Sequence, residues 1–259
     1  MKTQALVSQA RDGAVCIISM DDLDGGNAVT IAMSHALAEA FETVAQDPEV
    51  HCVILRSSAR HFSTGGSVED MHRGTDLMEG PPEHVAARIR SGLQRITKAT
   101  QAVDVPIIAA VNGAAVGAGF DIALMCDIRM AAERARFAES FLRLGLISGI
   151  GGAWFLTRTV GLSRAMEMTF TSEFLDAQAA LASGIVSRVV SNDELDAAAR
   201  DLAHRIASTP PTALRMAKRL VRESANSTLS AALEMAAAQQ AILLASQDHK
   251  QAVARFLNR

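Results

Sequence analysis

The fold of this chain is decided by the stretch Pro106-Ile-Ile-Ala-Ala-Val-Asn112-Gly113-Ala-Ala-Val-Gly117-Ala118-Gly119-Phe120-Asp121-Ile122, which lies near its middle. The proline and the apolar run after it predict a buried strand, and the glycines permit sharp turns and close approach of the backbone. The apolar residues from Phe120 to Cys126 predict a helix. A helix that begins directly after a loop presents free N–H groups and a partial positive charge to its surroundings. The stretch therefore predicts a place that can hold a negative oxygen atom.

The spacing of Gly113, Gly117 and Gly119 has more than one interpretation. The pattern G-x-x-x-G-x-G is also the one with which short-chain dehydrogenases bind the pyrophosphate of a dinucleotide. Those enzymes use a tyrosine as catalytic acid, and this chain contains no tyrosine, so the sequence argues against a dehydrogenase. Two interpretations stay open: the loop stabilises an enolate or a tetrahedral oxyanion, or the glycines only let a helix pack closely on a sheet.

Strand and helix patterns alternate on both sides of this stretch, and the last part of the chain is helical only. The predicted strands are Ala14–Met20, His51–Ser57, Ile107–Asn112, Ile128–Ala132, Ala135–Ser140 and Ile185–Val190. The predicted helices span residues 30–46 and 84–102, with a loop over 74–83, and amphipathic helices follow from residue 192 to the closing segment 248–259. Strand, helix and parallel strand in succession imply right-handed crossovers. This order predicts an α/β core followed by helices that cannot bury their apolar faces alone.

Composition narrows the class of partner. The chain has 259 residues, 49% of them hydrophobic, and its formal net charge of −3 is spread along the sequence, so we expect a small-molecule ligand and no nucleic acid. Three cysteines in apolar runs indicate buried thiols in a reducing compartment, and the histidines form no compact metal-ligand set. Met1 to Met20 carries polar residues throughout, which predicts neither a signal peptide nor a membrane span. We expect a cytoplasmic protein without a membrane partner.

The central stretch resembles the signature of a known family. The run from Pro106 to Asp127 is similar to the signature of the enoyl-CoA hydratase/isomerase family, the crotonase superfamily. Further similarities are Asn27-Ala28, the run His61-Phe62-Ser63-Thr64-Gly65-Gly66, Gly145 to Gly152, Leu156 to Gly161, and Pro210-Pro211 with Lys218.

The resemblance implies a fold and an assembly. The expected fold class is α/β, with a crotonase-like ββα spiral core carrying the acyl-CoA site over residues 1–195. A C-terminal helical trimerisation region is expected over residues 196–259, giving a homotrimer or a hexamer made of two trimers. The alternative is that these helices pack only within the subunit.

The resemblance also implies a pair of oxyanion donors. In the family, one backbone N–H comes from the loop F-x-x-G-[GA], here at Gly66, and the other comes from the middle of the G-x-G triplet, here at Ala118. Losing one such donor typically costs about 3 kcal/mol of barrier. The same motifs imply substrate-binding positions at Asn27, Ala28, Gly65, Ser67, Gly117, Phe141 and Leu142.

The acids are where this chain departs from the family. Family hydratases carry two glutamates, and the corresponding positions here are Asp121 and Phe141. A phenyl ring cannot transfer a proton. Glu139 is the nearest carboxylate, but alternation along the predicted strand puts Glu139 and Phe141 on the same face. Asp121 and Glu139 are therefore the catalytic candidates; their structural alternatives are a stabiliser of the helix N-terminus and a charged surface residue, respectively.

Ser140 and Ser148 add hydroxyl groups near these acids, without the G-x-S-x-G pattern of a serine hydrolase. Residues and resemblance together predict an enzyme that acts on an acyl-CoA thioester through an oxyanion-stabilised enolate, with enoyl-CoA hydration as the first activity to test. Because of Phe141, a single-base enoyl-CoA isomerase or an altered lyase stays open, as does a noncatalytic acyl-CoA-binding protein. Coenzyme A is expected as part of the substrate, with no separate cofactor and no metal.

Overall fold

The computed structural model describes residues 5–257, which form two sheets surrounded by helices. The first four residues of the segment Met1–Met20 and the last two of the predicted closing segment 248–259 lie outside the described residues. The strands are β1 Val7–Asp12, β2 Val15–Met20, β3 Cys52–Ser57, β4 Ile107–Val111, β5 Ala114–Val116, β6 Ile128–Ala132, β7 Arg136–Ala138, β8 Leu175–Asp176 and β9 Arg188–Val190. The main sheet has the order β1-β2-β3-β4-β6-β9, and the smaller sheet has the order β5-β7-β8.

The helices are α1 Ile31–Ala45, α2 Val68–Arg73, α3 Pro82–Arg88, α4 Gln94–Ala102, α5 Ala118–Met125, α6 Gly152–Val160, α7 Leu162–Thr171, α8 Ala177–Ala182, α9 Leu195–Ala207, α10 Pro211–Ser224, α11 Leu229–Ala245 and α12 Gln247–Leu257. Short 3-10 turns span Asp76–Met78 and Phe141–Leu144. The predicted helix 84–102 is α3 and α4 joined by a π-helical segment, Ile89–Leu93. The predicted loop 74–83 contains the first 3-10 turn and the start of α3.

The main sheet is buried on both faces, which explains why its central strands are continuous apolar runs. Strands β2, β3, β4, β6 and β9 pair in parallel. On β2, Cys16 and Ile18 belong to a core with α1, whereas Val15 and Ile17 belong to a second core with α9. Helix α9 contains the predicted boundary between residues 195 and 196, and it covers one face of this sheet. The boundary itself stays a prediction.

Strands β1, β5 and β8 were missed, because β1 is not an apolar run and β5 and β8 are only three and two residues long. Strand β1 is mostly polar and exposed, since it forms the antiparallel edge of the main sheet. Strand β5 falls inside the glycine stretch, between Asn112 and Gly117, and pairs with β7. A bridge between Ser63 and Ala115 then attaches the loop after β3 to β5. This second sheet places two loops from distant parts of the chain side by side.

The three C-terminal helices are exposed over most of their surfaces. Helices α10, α11 and α12 contain no buried residue in the described chain. Large apolar side chains on them are open to solvent, including Val221, Leu229, Leu233 and Phe256. Within residues 5–257 no single helix has the length and apolar content to span a bilayer; only α11 and α12 taken together, bent by 70°, meet those two criteria.

Candidate active site

Two loops meet at the start of α5. The amide of Ser63 donates to the Ala114 carbonyl at 3.0 Å, and the amide of Val116 donates to the Ser63 carbonyl at 3.1 Å. Gly65 has φ +88°, and a Cβ atom there would lie 2.5 Å from the Val116 carbonyl oxygen and 3.6 Å from the Ala118 nitrogen. Only glycine fits this position without strain. The loop after β3 and the first turn of α5 are therefore in direct contact.

The glycines of the central stretch divide between close packing and the cavity. A Cβ atom on Gly119 would lie 2.5 Å from Cβ of Ser63, and one on Gly113 would lie 2.4 Å from the Arg60 carbonyl oxygen. These two glycines thus permit close packing, as one sequence interpretation held. Gly117, with φ 51°, lines a cavity instead.

This cavity has a volume of about 310 Å³ and a mainly apolar lining. Gly65, Gly66, Gly117 and Ala118 form one wall. The segment from α2 to the start of the π-helical segment forms a second wall. Its lining residues are Val68, Met71, Leu77, Met78, Val85 and Ile89. A concave apolar space with a few convergent polar groups is the usual form of a small-molecule site.

The N–H groups of Gly66 and Ala118 are the polar groups of that wall. Neither amide donates a hydrogen bond to any part of the chain that the structure describes. Ala118 is the first residue of α5, and no side chain caps this helix end. The amide of Ala118 therefore carries the partial positive charge of a helix N-terminus. Two such donors at one cavity can stabilise an oxygen atom that gains negative charge.

Asp121 and Glu139 are brought together behind the same wall. Asp121 is fully buried, Glu139 is 3% exposed, and each carboxyl group affects the pKa of the other. Asp121 Oδ1 and Glu139 Oε2 are buried and find no donor among the described residues. Two neighbouring ionised carboxylates repel each other, which favours one proton on the pair. Neither side chain lines the cavity, although their neighbours Ala118 and Ser140 do.

The pKa values of both acids are raised. For Asp121, burial raises the pKa, while the hydrogen bond from Ser148 opposes this shift. For Glu139, burial raises the pKa, and the negative charge of Asp121 raises it further. Perturbed titration beside a cavity is typical of functional sites.

Strand β7 ends at Ala138, and this decides where Glu139 and Phe141 point. The expectation that they share one face is wrong, because alternation stops where the strand stops and a 3-10 turn begins at Phe141. Glu139 turns inward to Asp121, whereas Phe141 lines the cavity. Leu142 is exposed and is not among the lining residues.

The remaining predicted substrate positions lie in different places. Asn27 is fully buried, and its amide nitrogen donates to Ser57 Oγ at 2.7 Å and to the Phe62 carbonyl at 3.1 Å. Asn27 and Ala28 do not line the cavity, whereas the next residue, Val29, does. Ser67 lines the cavity and caps α2 by accepting a hydrogen bond from the amide of Asp70.

Two residues of the acid pair's surroundings carried no assigned role in the sequence analysis. Ser148 donates to Asp121 Oδ2 at 2.6 Å, and a Cβ atom on Gly152 would lie 1.9 Å from Asp121 Oδ1. The glycine pair before α6 was part of the resemblance, but nothing in the sequence tied it to Asp121. No group of His, Cys, Asp and Glu side chains within residues 5–257 has a geometry that could hold a metal ion.

Comparison with known proteins gives a consistent result. The sequence pattern of the enoyl-CoA hydratase/isomerase family matches residues 10–259. The 2,3-dehydroadipyl-CoA hydratase of Escherichia coli is 32% identical over 250 residues, which cover 96% of this chain and 94% of that protein. The crystal structure of an enoyl-CoA hydratase from Mycobacterium smegmatis superimposes with a TM-score of 0.89 at 31% identity, covering 98% of this chain and 97% of that one. A Thermobifida fusca protein solved in complex with CoA gives a TM-score of 0.85 at 30% identity, covering 93% of both chains.

Proposed function

The chain belongs to the enoyl-CoA hydratase/isomerase family and has the α/β fold of the crotonase superfamily, and from this we propose that it adds water to the double bond of a 2-enoyl-CoA thioester. One observation carries the proposal. Two residues that line a single cavity, Gly66 and Ala118, have main-chain amides without acceptors in the described chain, and a buried pair of carboxyl groups lies on residues close in sequence to that lining. Coenzyme A enters as part of the substrate, in line with the CoA complex of the Thermobifida fusca protein.

The amides of Gly66 and Ala118 are proposed to bind the thioester carbonyl oxygen. As a nucleophile bonds to C3, electrons move to this oxygen and an enolate forms. The amides are already oriented, so they stabilise the new charge without reorganisation. The backbone supplies both donors, which explains why alanine at position 118 is compatible with this role.

The Asp121 and Glu139 pair is proposed to move the protons. The ionised member removes a proton from water while the water oxygen bonds to C3, and the protonated member gives its proton to C2. The atoms balance, because one water is added and each carboxyl group has exchanged one proton. Direct contact between the two groups then lets the new proton pass back and restores the starting state. Glu139 would thus supply the second acid that the phenyl ring at position 141 cannot.

The reaction requires a route from the pair to the cavity. Phe141 lines the cavity and follows Glu139 by two residues in the chain. Its ring lies 3.7 Å from the position that a Cβ atom on Gly117 would occupy. Rotation of the Phe141 side chain is the motion that the proposal needs.

Phe141 also supports a second candidate, a single-base isomerase. Family hydratases carry a glutamate at the position of Phe141. A phenyl ring offers no carboxylate to hydrogen-bond a water molecule there. The same carboxyl pair could take a proton from C2 of a 3-enoyl-CoA and return it to C4, which moves the double bond from C3–C4 to C2–C3. A noncatalytic acyl-CoA binder is the third candidate, because the acids do not line the cavity.

Incubation with crotonyl-CoA, longer 2-enoyl-CoAs and 3-enoyl-CoAs separates the candidates. Formation of 3-hydroxyacyl-CoA, detected by mass spectrometry, supports hydration, and a shifted double bond supports isomerisation. We expect Asp121→Asn and Glu139→Gln each to lower kcat about 10²–10⁴-fold, the usual contribution of a general acid or base. The matched control is Glu133→Gln, a change at an exposed glutamate. Binding of acyl-CoA without turnover of any of these substrates would reject both reactions.

A further inference from the structure

The two carboxyl groups of the acid pair lie in different surroundings. Asp121 accepts a hydrogen bond from Ser148 at 2.6 Å. Apart from its interaction with Asp121, Glu139 accepts no hydrogen bond from the described residues. Two acids whose environments differ in this way take different protonation states.

Ser148 is in turn oriented by the backbone. The amide of Gly152, the first residue of α6, donates to Ser148 Oγ at 2.8 Å. Because this bond occupies the oxygen as an acceptor, the hydroxyl proton is directed to Asp121 Oδ2. Ser148 Oγ is thus the acceptor for the first amide of α6, and it connects the partial positive charge of this helix N-terminus to the Asp121 carboxylate.

Steric contact fixes the other oxygen of Asp121. A Cβ atom on Gly152 would lie 1.9 Å from Oδ1 and 2.8 Å from Oδ2, so the carboxyl group is packed against the backbone of α6. With Oδ2 bonded to Ser148, Oδ1 is the atom left for the proton of Glu139. The arrangement therefore holds one orientation of the Asp121 carboxyl group.

In the described chain, the charged residues near Asp121 and Glu139 interact with other groups and not with these two carboxyl groups. Charged residues on the elements packed around the pair have their own contacts or are exposed: Arg95 pairs with Glu39 and Glu42, Lys98 is exposed, Arg136 donates to backbone carbonyls, Arg143 lies over Phe174, Arg158 lies over Trp154, and Asp176 caps α8. The pair and Ser148 thus form an isolated unit.

We propose that Ser148 is a positioning residue that keeps Asp121 as the ionised member of the pair and leaves the shared proton on Glu139. The assignment deepens the proposed function and rests on it only for its consequence in catalysis. There it makes Asp121 the group that activates water and Glu139 the group that protonates C2.

Isotope-edited infrared spectroscopy tests the assignment without any turnover. Exposed carboxyl groups are ionised at pH 7, so the band of a protonated carboxyl group reports on the pair, and Glu139→Gln should remove it. We expect this band to shift when glutamate carries a ¹³C side-chain carboxyl label, and to stay in place when aspartate carries it. In Ser148→Ala, part of the band should shift with labelled aspartate instead. Ser148→Thr, which keeps the hydroxyl group, should restore the glutamate pattern.

Three results would overturn the proposal: a band that follows labelled aspartate in the wild-type protein, the absence of any such band, or a Ser148→Ala spectrum identical to that of the wild type. Circular dichroism checks that the variants are folded, and Ser34→Ala, which removes a buried hydroxyl group bonded to the Thr30 carbonyl, is the matched control. If the protein turns over, Ser148→Ala should also move the acidic limb of the kcat/KM profile up by roughly one pH unit, as expected on losing one hydrogen bond to a charged group. An unaltered profile would contradict the positioning role, whereas lack of turnover with the expected spectra would reject only the proposed function.

Discussion

The amide of Ala118 is a functional group that no ordinary side-chain substitution removes. It belongs to the first residue of α5, where the N–H has no partner within the helix. Proline is accepted at this helical position, because its missing N–H costs the helix nothing there. The residue therefore offers a test of one donor with little effect on the fold.

We predict that Ala118→Pro lowers kcat/KM for the enoyl-CoA substrate about 10²–10³-fold, the effect of losing one oxyanion donor. Steady-state kinetics and the melting temperature measure the two effects separately. Leu162→Pro is the control, since it places a proline at the first residue of the remote helix α7. Wild-type kinetics in folded Ala118→Pro would argue against an oxyanion hole at this place.

The shared proton of the acid pair predicts an unusual dependence of stability on pH. Because the pKa of Glu139 is raised by burial and by Asp121, the folded protein binds a proton that the unfolded chain releases above pH 4.5, the ordinary glutamate value. The free energy of unfolding should therefore decrease as the pH rises above 4.5 toward the raised pKa. Glu139→Gln replaces the proton with an amide donor, so the variant should gain stability relative to the wild type at pH 8 and not at pH 5.

Urea denaturation at the two pH values measures this difference, and Glu133→Gln serves as the exposed control. A variant that is equally destabilised at both pH values would show that the pair holds no extra proton. A gain at pH 8 would support the pairing whatever the catalytic role of the two acids proves to be.

Among the structural elements, α10 is joined to the core in part by a half-buried carboxylate, that of Asp127. Asp127 follows α5 and accepts from Lys218 at 2.7 Å, from Arg222 at 2.9 Å and from the amide of Ile107 at 2.8 Å. The Lys218 side chain is only 7% exposed. This contact links the C-terminal helices to the central strand β4.

We predict that Asp127→Asn lowers the free energy of unfolding by about 3 kcal/mol, because it leaves a buried ammonium group without its counter-charge. Chemical denaturation followed by circular dichroism gives the value. Asp104→Asn, which removes a more exposed ion pair of the same helix with Arg215, should cost less than about 1 kcal/mol. Equal effects of the two variants would mean that the burial of Lys218 contributes nothing.

In the molecule as a whole, the C-terminal helices present apolar surface that the rest of residues 5–257 leaves exposed. Leu229 is 76% exposed and Leu233 is 59% exposed on α11. Large exposed apolar patches are typical of protein–protein contacts. The family resemblance assigns trimers and hexamers to this region, and the oligomeric state stays a prediction for this protein.

We predict that the wild-type protein sediments as a trimer or hexamer and that the double variant Leu229→Glu, Leu233→Glu dissociates. Buried carboxylates at a subunit contact are strongly unfavourable, so the mass should fall to that of the monomer. Leu23→Glu changes a leucine that is 53% exposed in an N-terminal loop and is the control. A monomeric wild-type protein would show that the C-terminal helices do not form a subunit contact.

Local sequence pattern is enough to predict several elements of this protein. Helix α1, the parallel central strands and a helix after the glycine stretch follow from periodicity and glycine placement, and the structure confirms them, although α5 begins at Ala118, two residues before the predicted start. The positions of Gly66 and Ala118 at one cavity followed from the family resemblance.

The tertiary structure alone decided the chemistry of the acids. Whether Glu139 faces Asp121 depends on where β7 ends, which is set by its pairing with β5 and β8 and not by residues 135–140 themselves. The contacts of Ser148 and Gly152 with Asp121 likewise join residues that are far apart in the chain. A protonation state depends on burial and on neighbours from several elements at once, so it exists only after those elements have packed.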